Sequence, residues 1–157
     1  MKGVLRLNAS IFSKLHIDFI PGEKWDNADI FPCNQTIDYD LKRHIQNPRD
    51  FCLTLKYKQS PHEKKQGYLI DAELSGYFEF PEEYTEEEMQ GTIRVNGLTI
   101  LYGILRGQLA IYTASFPLNA IMLSTVSMYE VVNQIEKNRQ SNNENQNKAD
   151  LKNKLDS

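Results

Sequence analysis

A chain of 157 residues, 40% hydrophobic and 25% charged, holds one hydrophobic core and not two. Its net charge of −3, with no basic patch interleaved with aromatics, excludes nucleic acid as an expected partner. Cys33 and Cys52 make no disulfide framework and read as small thiols of a reducing compartment. With Arg6 and Asn8 interrupting the first residues and no apolar run of spanning length, no membrane insertion is expected and cytoplasm is the expected location.

Leu5, Leu7, Ala9 and Ile11 share a parity with Leu15, Ile17 and Phe19. That predicts one long first strand, bulged near Ser13, with all of them on one face and Pro21-Gly22 at its end. A loop around Trp25–Pro32 precedes a second strand with Ile37, Tyr39 and Leu41 inward, and Asn47-Pro48 turns into a third. Phe51, Leu53, Leu55 and Tyr57 alternate with polar residues, as do Tyr68, Ile70, Ala72, Leu74, Gly76, Phe78 and Phe80. A period of two marks strands with one buried face, and the polar segment Gln59–Gln66 joins them as a hairpin. Four meandering antiparallel strands then need a cover, which only later helices can supply. The predicted class is α+β, a four-stranded antiparallel sheet followed by a long helix, an apolar loop and a second helix.

Thr85 with Glu88 three residues on predicts a capping-box helix start, and the acidic run from Glu82 to Glu88 suits a helix N-terminus. The long helix is expected after Gly91, from about Arg94 to Thr113, ending before Phe116-Pro117. In it Leu98, Ile100, Leu101, Tyr102, Ile104, Leu105, Leu109, Ile111 and Tyr112 lie at nearly every helical angle. A surface helix carries one apolar stripe. This one needs cover on more than one side, and a second copy of the chain is the expected cover. The interface residues expected are Leu98, Leu101, Gly103, Ile104, Leu105, Gly107 and Ile111, where the small-xxx-small pair Gly103 and Gly107 permits close helix approach between copies or within one. The following loop, Leu118 to Leu123, is apolar where turn residues are usual. Ser127 with Glu130 caps a last helix facing inward through Met128, Val131, Val132 and Ile135. Residues 1–137 are read as one domain; the tail 138–157 is too polar to order itself.

No catalytic constellation accompanies these elements. His16, His44 and His62 lie apart without metal-ligand spacing, so neither metal nor cofactor is expected. Gly103 and Gly107 lie inside a helix, not in a phosphate-binding loop, and no nucleophile elbow occurs. The chain is not expected to be an enzyme.

Val95-Asn96-Gly97-Leu98, the run Leu101-Tyr102-Gly103-Ile104-Leu105-Arg106-Gly107, Phe116-Pro117-Leu118-Asn119 and Thr125-Val126-Ser127 resemble the SecB family of export chaperones, especially its divergent SecB-like branch. The resemblance spans about Leu5 to Ile135. It implies an ATP-independent holdase in which the long helices of four subunits are sandwiched between two sheets, each shared by a dimer. It implies non-native polypeptide clients, either preproteins for export or an antitoxin. A holdase needs exposed apolar surface more than chemistry. Phe116, Ile121, Met122 and Leu123, with Met128 beside them, are the expected client-binding residues, unless the loop closes the core instead. The family's docking to the SecA motor uses an acidic sheet face. Here Asp38, Asp40, Asp71, Glu73 and Glu79 are mixed with Lys14, Lys42, Lys56 and Lys58, so SecA is not carried over as a partner. The competing reading is a small α+β protein that binds one specific partner and has no chaperone activity.

Overall fold

The computed structural model describes residues 3–22, 33–117 and 120–155. The expected loop at Trp25–Pro32, and Leu118 and Asn119 of the apolar loop, lie outside the described residues. The chain divides into two compact units, Met1–Thr125 and Val126–Ser157.

The first unit holds strands β1 (Arg6–Ile20), β2 (Cys33–Arg43), β3 (Asp50–Pro61) and β4 (Gly67–Glu79) in one antiparallel sheet ordered β1-β4-β3-β2. β2, β3 and β4 form the expected meander. β1 does not continue it, because it pairs with β4 at the far edge and leaves β2 as the other edge. Alternation in β3 and β4 sorts their residues as the period of two requires. Phe51, Leu53, Leu55, Tyr57, Tyr68, Ile70, Ala72, Leu74 and Phe78 are buried on one face, with Tyr39 from β2.

β1 corrects one expectation. Its register against β4 slips twice, between Leu7 and Ala9 and again between Phe12 and Lys14. Each slip leaves one residue, Asn8 or Ser13, without an opposite partner and inverts the parity that follows. Leu7 faces Phe78, Phe12 faces Leu74, and Leu15, Ile17 and Phe19 face Ala72, Ile70 and Tyr68, all on the buried face. Between the bulges Ala9 and Ile11 oppose Tyr77 and Ser75 on the other face, where Ile11 is 59% exposed.

Thr85 caps α1 (Glu86–Thr92) with both halves of the capping box: its Oγ1 accepts from Glu88 N–H and the Glu88 carboxylate accepts from Thr85 N–H. The helix does not restart after Gly91. It passes through a π-helical turn, Ile93–Gly97, directly into α2 (Leu98–Thr113). The wide turn takes five residues from Ile93 to Leu98, so both, with Met89 before them, are buried. Two glycines permit this close packing. A Cβ on Gly97 would come within 2.7 Å of Leu53 Cδ2, and one on Gly76 within 2.8 Å of Leu101 Cδ2.

In the second unit, Ser127 Oγ accepts from Glu130 N–H at 3.5 Å ahead of α3 (Met128–Leu155). Met128 and Val132 are buried, and Val131 and Ile135 are half-buried. The stretch from Asn138, expected to lack order, is helical in the structure to Leu155. A capped, nucleated helix extends at low cost through Lys, Gln, Glu and Ala. Local bonds support it, with Gln134 Nε2 donating to Asn138 Oδ1 at 2.9 Å and Arg139 Nη1 lying 3.6 Å from Glu136.

Candidate functional site

α2 is apolar on two sides, and the two sides have different fates. Leu98, Leu101, Tyr102, Leu105, Leu109 and Thr113 recur at spacings of one, three and four and are all buried. Leu98, Leu101 and Leu105, expected at an interface between copies, therefore fill the core of a single chain. Gly103, Ile104, Gly107 and Ile111 from the same expected set lie on the other side. Gly103 and Gly107 are exposed with no heavy atom within 4 Å of an added Cβ, Ile104 is half-buried, and Ile111 is 67% exposed. Ile100, half-buried, continues this stripe toward the N-terminus, and Tyr112 adds a ring beside it that is 47% exposed. The small residues at the stripe's centre leave a shallow channel between isoleucines, a shape suited to another backbone.

The loop after α2 folds back in part. Thr113 Oγ1 donates to Leu109 O at 2.6 Å and accepts from Ile121 N–H at 2.8 Å, reversing the chain over the helix end. Tyr102 OH donates to Ser124 O at 2.9 Å, holding the returning strand of the loop. Phe116 is half-buried with its ring 5.8 Å from Tyr68, Leu123 is buried, and Ile121 is half-buried. Met122 is 71% exposed. Of the five expected client-binding residues only Met122 is freely exposed, and Met128 is buried in the second unit.

Two tyrosines packed near this helix are held by hydrogen bonds. Tyr57 OH donates to Gln59 Oε1 at 2.7 Å, and burial pushes the Tyr57 phenol far above its ordinary range. Burial also raises Tyr102. Both stay protonated at neutral pH and serve as hydrogen-bond donors. Among the described residues no group of three or more His, Cys, Asp or Glu is placed to hold a metal ion.

The outer sheet face carries charges in alternating sign. One transverse row runs Asp38, Lys56, Glu73, Lys14 across all four strands. Lys56 Nζ lies 2.6 Å from Asp40, and Lys14 Nζ lies 2.6 Å from Asp71. Hydrogen bonds to these carboxylates raise both lysines, and Lys14 lowers Asp71. Such exposed pairs partly cancel one another's field on this face. Among the described residues no helix is long and apolar enough to cross a membrane.

No family profile and no curated protein sequence matches the chain. Solved structures do. The chain is similar to the Mycobacterium tuberculosis SecB-like chaperone Rv1957, in complex with a ChAD peptide from the Rv1956 HigA1 antitoxin, with a TM-score of 0.60 and 15% identity over 78% of this chain and 91% of that one. It is also similar to a protein of unknown function from Streptococcus agalactiae, with a TM-score of 0.45 and 12% identity over 78% of this chain and 98% of that one. The four-stranded antiparallel sheet followed by the long helix and the second helix is the SecB-like fold.

Proposed function

We propose that this chain is an ATP-independent holdase that binds non-native polypeptide in the cytoplasm as a homotetramer, a dimer of dimers. The carrying observation is the second apolar stripe of α2 on a SecB-like fold, with Gly103, Gly107 and Ile111 exposed and Ile100 and Ile104 half-buried. Burying that stripe between copies removes a patch that isolated soluble chains avoid. The exposed Met122, with half-buried Ile121 and Phe116 beside it, then supplies adaptable apolar contact for clients of varied sequence. The similarity to a chaperone solved with an antitoxin peptide supports an antitoxin as client over a preprotein. The alternating charges of the sheet's outer face argue against docking to SecA.

The test is suppression of aggregation. Chemically denatured citrate synthase is diluted into buffer with a several-fold excess of the chain, without nucleotide, and light scattering is followed. Reduced scattering is expected, and Met122→Asp is expected to weaken the effect. Undiminished scattering at every excess would leave a specific binding protein without holdase activity.

A further inference from the structure

Met89, Met122 and Met128, the methionines among the described residues, have unequal surroundings. Met89 is 4% exposed, and Arg49 Nη1 donates toward its Sδ at 3.9 Å, so its sulfur is both walled in and engaged. Met128 is 5% exposed. Met122, in the loop after α2, is 71% exposed. Among the described residues it therefore carries the one thioether that solvent reaches freely.

The loop holds that thioether outward. On one side Ile121 N–H is bound to Thr113 Oγ1 at 2.8 Å, and on the other Ser124 O accepts from Tyr102 OH at 2.9 Å. Leu123, next to Met122, is turned inward and only 3% exposed. The backbone is thus pinned on both sides of Met122, and the core beneath is closed by its neighbour. A change in the polarity of Met122 alters the outer surface of the loop and leaves the packing under it in place.

We propose that Met122 is a site of selective, reversible oxidation by hydrogen peroxide, and that its sulfoxide lowers the chain's hold on non-native polypeptide. The sulfur lone pair attacks a peroxide oxygen, and the S–O bond forms as the O–O bond breaks. The hydroxide released takes the proton left on the transferred oxygen and departs as water. Sulfur loses two electrons and the peroxide gains them. The product is a polar, chiral sulfoxide in place of a flexible apolar side chain. Its oxygen calls for a hydrogen bond that an apolar client side chain does not supply. The exposure that admits peroxide also admits a methionine sulfoxide reductase, which makes the change reversible. The loss of client binding rests on the holdase reading; the selectivity of oxidation does not.

The full-length chain is treated with millimolar hydrogen peroxide and then with dithiothreitol, which reverses disulfide or sulfenic acid at Cys33 and Cys52 and leaves sulfoxide. Peptide mapping by mass spectrometry is expected to show Met122 converting at least about tenfold faster than Met89 and Met128. The circular dichroism spectrum is expected to stay the same while suppression of citrate synthase aggregation falls several-fold. Reductases for both sulfoxide epimers are expected to restore it. Met122→Leu keeps an apolar side chain and both thiols, and is expected to hold clients equally before and after peroxide. Conversion of all three methionines at similar rates would overturn the proposal. So would undiminished suppression once Met122 is oxidised, or an equal loss in Met122→Leu on the same treatment. An untreated chain that never suppresses aggregation would strike the holdase reading first, and the switch with it.

Discussion

Arg43 at the end of β2 holds Glu86 in the first turn of α1 by two parallel bonds, Nη1 to Oε1 at 2.8 Å and Nη2 to Oε2 at 2.6 Å. Two forked groups thereby tie the edge of the sheet to the start of the helix that covers it. Arg43 also stacks over Phe51, 5.3 Å from its centroid, and its Nε donates to Pro48 O at 2.6 Å. The Arg43 guanidinium, with help from Gln90, holds the Glu86 carboxyl below its ordinary value of 4.5.

The pH consequence follows from that direction. A carboxyl lowered in the folded state contributes stability that is fully present above its unfolded value, and that stability is lost as pH falls through the folded one. The loss is expected below about pH 4.5, the unfolded value. A carboxyl-carbon NMR titration should give Glu86 a midpoint below 4.5, and Arg43→Ala should return it to the ordinary range. An unchanged midpoint in the variant would assign the shift to Gln90 and the helix dipole.

The double bulge of β1 makes neighbouring residues unequal. Ile11 opposes Ser75 on the outer face, while Phe12 opposes Leu74 over the core. Ile11→Lys is expected to change stability by no more than about 0.5 kcal/mol. Phe12→Ala, at a half-buried position, is expected to cost about 1–3 kcal/mol, less than a fully buried phenylalanine. Urea unfolding of the two variants measures the difference. A reversed order would mean that β1 carries no bulge at Asn8.

That strand also shows where reading a sequence stops. β2, β3 and β4 alternate without interruption, so parity alone sorts their faces. The bulge at Asn8 inserts a residue with no glycine or proline to mark it, and the alternation of Leu5, Leu7, Ala9 and Ile11 runs smoothly through it. Pairing of β1 with β4 is equally silent, because local alternation carries no information about a partner some 60 residues away. The capping box was legible because Thr85 and Glu88 act within one turn. For α2 the two-sidedness was legible and its phase was not. A helix apolar all round has no preferred direction in sequence, and the π-helical turn at Ile93–Gly97 aims Leu98, Leu101 and Leu105 inward. The apolar loop was visible by composition, but its fold-back depends on single hydrogen bonds, Ile121 N–H to Thr113 Oγ1 and Tyr102 OH to Ser124 O, that no periodicity announces.

Thr113 is fully buried, and its hydroxyl both donates and accepts at the point where the chain leaves α2. Thr113→Val keeps the shape and removes the acceptor, leaving the Ile121 N–H without its partner. The expected cost is about 1–3 kcal/mol. The loop should loosen before the fold is lost, so hydrogen exchange at Ile121 should accelerate more than exchange in β3. Equal acceleration in both would mean that the bond stabilises the whole unit and does not hold the loop locally.

Gly103 and Gly107 give the sharpest test of self-association. Nothing within 4 Å outside the helix's own backbone opposes a side chain at either position in one chain, and leucine is the better helix former by somewhat under about 1 kcal/mol per site. A single chain should therefore tolerate Gly103→Leu with Gly107→Leu, and α2 should gain helical stability. If the stripe packs on another copy, two leucines fill the channel between Ile100, Ile104 and Ile111 and force the helices apart. The double variant is then expected to keep its circular dichroism spectrum while its mass by light scattering falls to a smaller assembly. Unaltered mass would mean that copies meet elsewhere, and the stripe would become the principal exposed apolar surface available to clients.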